Sequence, residues 1–222
     1  MALALQILPG SMEDGKVSVL VLGIGNLLWA DEGFGVRAVE ALQRQYDCGP
    51  DVALMDGGTQ GLYLVQYVQA ADRLIVFDAI DYGLEPGTLK LVVNEDVPLF
   101  MGAKKMSLHQ TGFQEVLAAA KLTGSYPGEL ILIGVQPADL EDYGGSLTAT
   151  VKEKIPEAIE VALGYLRSWG ASVRPRTEQD SVEPLNPAML DIERYEAERP
   201  TPEEACRFGD ARFLVQPPGG DV

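Results

Sequence analysis

Short apolar runs separated by stretches of helical spacing constrain this chain more than any other feature. Val17–Gly23 reads VSVLVLG, apolar at nearly every position. A run that short, apolar on both alternating faces, marks a strand covered from both sides. Val52–Met55, Leu74–Phe77, Thr88–Val93 and Leu130–Val135 read as further strands. Between them, Val36, Val39, Leu42 and Tyr46 recur at helical spacing, with Asp31 positioned to cap the start. Thr59 is positioned to cap a helix through Leu62, Val65 and Val68. Ser107 and Gln110 form a capping box that opens a helix through Phe113, Val116, Leu117 and Ala120. A last helix carries Ile155, Ile159, Ala162, Leu163 and Leu166 and stops at Gly170; Pro156 either starts or kinks it. This alternation predicts an α/β fold of three layers. Its centre is an open, mostly parallel, twisted sheet of about five strands with helices on both faces.

The 222 residues suit one domain of this kind. Composition divides them into three parts. Residues 17–170 form the α/β body and residues 1–16 a loose leader, whose apolar start lacks the positive n-region of a signal peptide. Residues 171–222 hold 7 of the 14 prolines, an acidic excess and no sustained apolar period, which predicts a flexible tail with one short helix near Met189–Glu198. Seventeen Lys and Arg against 33 Asp and Glu give a net charge of −16. That charge disfavours phosphate backbones and anionic lipid, so neither nucleic acid nor a membrane is expected as partner. No apolar run approaches the roughly 20 residues of a membrane span. Cys48 and Cys206 form no CxxC, and with no export signal a cytoplasmic location is expected.

In open parallel sheets ligands bind beyond the carboxyl ends of the strands. Glu32 follows the first strand, Asp56 ends the second, Asp78 ends the third, and His109, the single histidine, opens a later helix. Two carboxylates and an imidazole make a mixed oxygen and nitrogen donor set suited to a divalent transition metal with open positions. Each residue also has a plainer reading. Glu32 can complement a helix dipole, Asp56 can make an Asx turn before Gly57-Gly58, and Asp78 can cap a turn. Gly23-Ile24-Gly25-Asn26 opens like a dinucleotide fingerprint, but Leu28 stands where the third glycine belongs. No HExxH, GxSxG or Cys–His nucleophile pattern is present, and Cys48 reads as a bystander thiol.

Five elements in order resemble the hydrogenase maturation endopeptidases. They are LGIGN (22–26) with DEGFGV (31–36), DGGT (56–59), FDA (77–79), HQ (109–110), and GVQP (134–137) with Leu140-Glu141. The stretches DGGTQGLYLV and MGAKKMSLHQTGFQEVL are most similar to the branch serving membrane-bound uptake hydrogenases. The resemblance implies an endopeptidase that removes the C-terminal extension of the nickel–iron hydrogenase large-subunit precursor. It assigns the metal-contacting and catalytic positions to Glu32, Asp78 and His109, and substrate recognition to Asp56, Gly57, Gly58 and Thr59. It also implies that the nickel is the substrate's own, with no permanently bound cofactor. Two other readings stand beside it: a non-catalytic assembly chaperone for the large subunit, and a nucleotide- or phosphate-binding module.

Overall fold

The computed structural model describes residues 17–101 and 108–201; the side chains of 17, 99–101 and 108–111 are not among those described. The strands are β1 (Val17–Ile24), β2 (Tyr46–Asp47), β3 (Val52–Gly58), β4 (Ala71–Ala79), β5 (Leu89–Val93), β6 (Glu129–Val135) and β7 (Arg174–Pro175). The helices are α1 (Phe34–Gln45), α2 (Val65–Ala70), α3 (Asp96–Met101), α4 (Leu108–Leu122), α5 (Ala149–Lys152), α6 (Ile155–Ser168) and α7 (Ile192–Ala197). Five strands form one sheet in the order β3-β1-β4-β6-β5. The pairs β1–β3, β1–β4 and β4–β6 are parallel, and β5 runs antiparallel to β6.

Period-two alternation divides the strand side chains between two cores. Val19, Val21, Ile75, Phe77, Ile131 and Ile133 face α1 and α6. Leu20, Leu22, Leu74, Val76, Leu130 and Leu132 face α2 and α4. This explains why the strands read as continuous apolar runs. Both of their faces are buried.

The chain leaves β1 for β3 on one side, then crosses to β4 on the other. The crevice at the carboxyl ends of β1 and β4 is therefore the point where the winding reverses. There the first turn of α1 rests directly on the backbone. A Cβ on Gly35 would sit 2.2 Å from the carbonyl oxygens of both Ile24 and Phe77, and one on Gly23 would sit 2.4 Å from Gly35 O. These glycines serve helix–strand contact.

Several sequence-level expectations change in the structure. Asp31 does not cap α1; its carboxylate is fully buried and turned towards a distant loop. Thr59 caps nothing, because α2 begins after a 3-10 turn at Gly61–Leu64, and Leu62 points outward while Leu64 and Val68 enter the core. Tyr46 belongs to β2, β3 continues through Asp56 to Gly58, and Pro156 lies at the start of α6. Ser107 of the expected capping box lies outside the described residues, as do the leader and Cys206. The largest difference concerns the tail. Residues 171–201 lie against the body: β7 pairs with β2, and Leu185, 4% exposed, enters the core beside α1. Single anchors of this kind leave no periodic signal.

Candidate active site at the strand ends

Three carboxylates stand at the carboxyl edge of neighbouring strands. Asp56 on β3 pairs in register with Gly23 of β1, and Gly23 pairs on its other side with Phe77, the residue before Asp78. Glu32 sits in the 3-10 turn Ala30–Gly33 that follows β1. That turn is folded tightly: Asn26 N–H donates to Glu32 O (3.2 Å), and Glu32 N–H donates to Trp29 O (2.8 Å). Ala30, a non-glycine residue at φ 36°, stores strain in the same turn. Burial pushes the Glu32 carboxyl above its ordinary pKa.

Asp31, next to Glu32, holds this turn in place. Its Oδ2 accepts from the N–H groups of Ala138 and Asp139 (2.8 and 2.9 Å) and from the Thr148 hydroxyl (3.0 Å); its Oδ1 accepts from Thr148 N–H (2.7 Å). Asp31 N–H in turn donates to Asp139 O. The β1 and β6 loops are thereby joined, and Trp29 packs edge-on against Tyr143.

Asp78 is fully buried in the penultimate position of β4, opposite Gly134 of β6. The Tyr82 hydroxyl lies over Gly134, where a Cβ would be 2.1 Å away. Burial first, and the Asp78 charge second, push that phenol well above its ordinary pKa. Gln136 secures the loop after β4: its Oε1 accepts from Tyr82 and Leu84 N–H, and its Nε2 donates to Asp81.

The Asp56-Gly57-Gly58-Thr59 element bends off the end of β3. A Cβ on Gly57 would meet Leu22 Cδ1 at 2.8 Å, and Gly58 has φ 46°. Close packing favours glycine at 57 and the positive φ favours it at 58, so the fold itself gives both a reason. Oδ1 of Asp56 is buried with no hydrogen-bond partner among the described residues. Burial raises the pKa of this carboxyl and the Glu40 charge adds to the rise; donation from Asn186 and from Gly58 N–H, and the Arg37 charge, act against it.

His109 lies in the first turn of α4, and its side chain is outside the described residues. The backbone brings that turn towards the same edge, since a Cβ on Gly112 would stand 3.4 Å from Gly61 Cα, just beyond the DGGT element. Among the described residues no three His, Cys, Asp or Glu side chains form a ready-made metal cluster.

Exposed apolar side chains surround this edge. Leu28 follows β1, Leu62 and Tyr63 follow β3, Leu84 follows β4 and Tyr143 follows β6. Sequence reasoning located the acidic strand ends, but it took Asp31 for a helix cap and gave no role to Tyr82, Gln136 or Asn186. For Asp31 the available signal was its place beside Glu32. Gln136 stood out only as part of GVQP (134–137), and Tyr82 and Asn186 carried none.

The family model described as hydrogenase maturation protease matches residues 36–165. The hydrogenase expression/formation protein HoxM of Cupriavidus necator is 59% identical over 199 residues, covering 89% of this chain and 98% of its own. HupD of Rhizobium leguminosarum bv. viciae is 65% identical over 178 residues, covering 80% and 88%. Among solved structures, the hydrogenase maturating endopeptidase HybD from Escherichia coli superposes with a TM-score of 0.69 at 42% identity, over 72% of this chain and 98% of that one. HybD is thus matched almost end to end by a smaller share of this chain than HoxM is.

Proposed function

The chain belongs to the hydrogenase maturation protease family, and on that footing we propose that it is the endopeptidase that removes the C-terminal extension of a nickel–iron hydrogenase large-subunit precursor already loaded with nickel. What supports this reading is that Asp78 near the end of β4 and Glu32 in the turn after β1 both lie on the carboxyl side of the β1/β4 switch point, with the backbone of α4 near Gly112 close to Gly61 on the same side.

The nickel arrives in the substrate, so the protein needs no resident metal. Glu32, Asp78 and His109 supply two oxygen donors and one nitrogen donor for an ion whose remaining ligands are the precursor's own. An ion held in this way polarises the scissile carbonyl or delivers a water to it. Both routes use the same three donors and make cleavage conditional on loading. The Asp56–Thr59 turn reads the peptide beside the ion, and the buried Asp56 Oδ1 is an acceptor for a peptide N–H. The apolar rim suits a protein surface better than a nucleotide, and the GxG glycines have structural reasons of their own: Gly23 lies against Gly35 of α1, and Gly25, at φ 134°, lies against Glu32 O. Cytoplasmic action belongs to the same proposal. Among the described residues no helix is long and apolar enough to cross a membrane.

The test is incubation with nickel-loaded and nickel-free precursor, followed by intact mass. Shortening of the loaded precursor alone is expected. A loaded precursor that is bound and left uncut would replace this reading with a chaperone role.

A further inference from the structure

The loops around the candidate site hold their exposed apolar side chains in place by local structure. Trp29 and Tyr143 form an antiparallel bridge, and Gly144 N–H donates to Leu28 O at 2.7 Å, which fixes Leu28 and Tyr143 at the mouth of the β1 and β6 loops. The 3-10 turn that buries Leu64 leaves Leu62 and Tyr63 facing out, Tyr63 at 77% exposure. Leu84 stands exposed on the loop after β4. Apolar groups gathered at one edge of a fold mark an interaction surface.

The same loops carry charge of one sign. Residues 25–33, 56–64, 78–88 and 136–148 hold nine of the 33 Asp and Glu and none of the 17 Lys and Arg. Basic side chains stand at the opposite edge of the sheet, where Arg44 lies in the last turn of α1, Arg167 in the last turn of α6 and Arg73 near the start of β4. Lys104 and Lys105 precede α4 and lie outside the described residues. Some of the nine acids are engaged within the protein: Asp31 accepts from the loop after β6, and Asp142 accepts from Arg199 at 2.7 and 2.8 Å. Glu85 and Glu141 are different. Both are exposed and make no ion pair among the described residues. Glu85 adjoins Leu84, and Glu141 is two residues from Tyr143, so on these two loops acid and apolar groups stand side by side.

On the reading given under Proposed function, we propose that this apolar and acidic edge is the docking surface for the folded body of the large-subunit precursor, and that the surface it receives is apolar and bears lysine or arginine. Charge selects that occupant. A second copy of this chain, at a net charge of −16, would set the same acids against one another, and nucleic acid or anionic lipid would be repelled for the same reason. A basic protein surface pairs instead with Glu85 and Glu141 and leaves the dry contact to Leu62, Tyr63 and Leu84. Complementary charge at the rim speeds encounter and fixes orientation, while the apolar anchors slow dissociation. Recognition of the precursor's body is thereby separate from recognition of its nickel.

The experiment measures association of the full chain with nickel-free precursor, and kcat/KM on nickel-loaded precursor, at about 0.05 M and about 0.5 M NaCl, a range over which exposed charges become screened. Both quantities are expected to fall about tenfold for wild type, with kcat nearly unchanged. Glu85→Lys combined with Glu141→Lys should lower both about tenfold at low salt and flatten the salt dependence. Asp51→Lys combined with Glu178→Lys makes the same change of net charge at exposed positions away from these loops, and should behave much more like wild type. Tyr63→Ser should speed dissociation and keep the wild-type salt dependence. Should the Glu85 and Glu141 lysine pair fail to fold by circular dichroism, Glu85→Gln with Glu141→Gln takes its place with a smaller expected loss. Association that ignores salt, or a control pair that loses as much as the Glu85 and Glu141 pair, would overturn the proposal. So would a chain that sediments as a dimer broken by Tyr63→Ser, which would give the surface to a second copy. Salt-dependent binding of a loaded precursor that is never cut would keep the docking surface and remove the endopeptidase reading; cleavage with a salt-independent kcat/KM would do the reverse.

Discussion

The Asp31 carboxylate accepts both the backbone N–H and the hydroxyl of Thr148, 117 residues further along the chain. Together with the amides of Ala138 and Asp139, this contact joins the loop after β1 to the loop after β6. Glu32 is the next residue, so the position of one proposed nickel-contacting side chain depends on a carboxylate that itself contacts no substrate.

Asp31→Asn tests that dependence. The carboxamide keeps the size but turns one acceptor into a donor, leaving at least one buried N–H or hydroxyl without a partner. A loss of about 2–3 kcal/mol in urea unfolding is expected, with cleavage reduced at temperatures where the variant is still folded. Unchanged unfolding would show that the loop–loop contact is not stabilising.

Asp56 gives a prediction of opposite sign. Burial raises its carboxyl pKa in the folded state, so over the window between the ordinary aspartate value and the raised one the native protein binds more protons than the unfolded chain. Stability contributed by this group therefore falls as pH rises through that window. At neutral pH the wild type bears the cost of a buried charge, and Asp56→Asn does not. The variant should melt higher than wild type at neutral pH, and the difference should shrink as the pH is lowered past the ordinary aspartate range. A lower melting temperature at neutral pH would contradict this.

The packing of residues 171–201 on the body revises an expectation about the tail. Proline, acid and the lack of apolar period suggest that residues beyond about 175 are dispensable. In the structure a chain ending at residue 174 loses Leu185 from the core and the hydrogen bond from Asn186 to Glu40. Burial of one leucine is worth about 1.5–3 kcal/mol, so a clear drop in melting temperature is expected. A truncated chain that melts like the full one would restore the simpler view.

These cases show what was legible in the sequence. The strands could be read because both faces are apolar, and the acidic strand ends followed from the topology they imply. His109 stood out as the single histidine. Asp31 was misread because an acid just before a helix looks like a cap, while its partners lie far along the chain. Thr59 was misread by the same local logic. Asn186 and Leu185 had no local signal, since one buried amide and one buried leucine among prolines and charges make no pattern.

Cys48 is buried, and burial together with the neighbouring Asp47 charge pushes its thiol up to about 11. So little thiolate at neutral pH means that native protein should alkylate far more slowly at Cys48 than unfolded protein. Cleavage should survive treatment with cysteine- and serine-directed reagents. Rapid native labelling at Cys48 with loss of activity would assign that thiol a role it lacks in this account.

The proposed dependence on substrate nickel is tested most directly by Asp78→Asn and His109→Ala, each shown to be folded by circular dichroism and assayed on nickel-loaded precursor. Both substitutions remove a donor from the ion without removing the Asp56–Thr59 turn. Wild type should shorten the loaded precursor and leave the nickel-free form intact, whereas both variants should leave even the loaded form largely uncut. Folded variants that cleave loaded precursor at the wild-type rate would show these side chains to be structural, and nickel sensing by this edge of the sheet would be wrong.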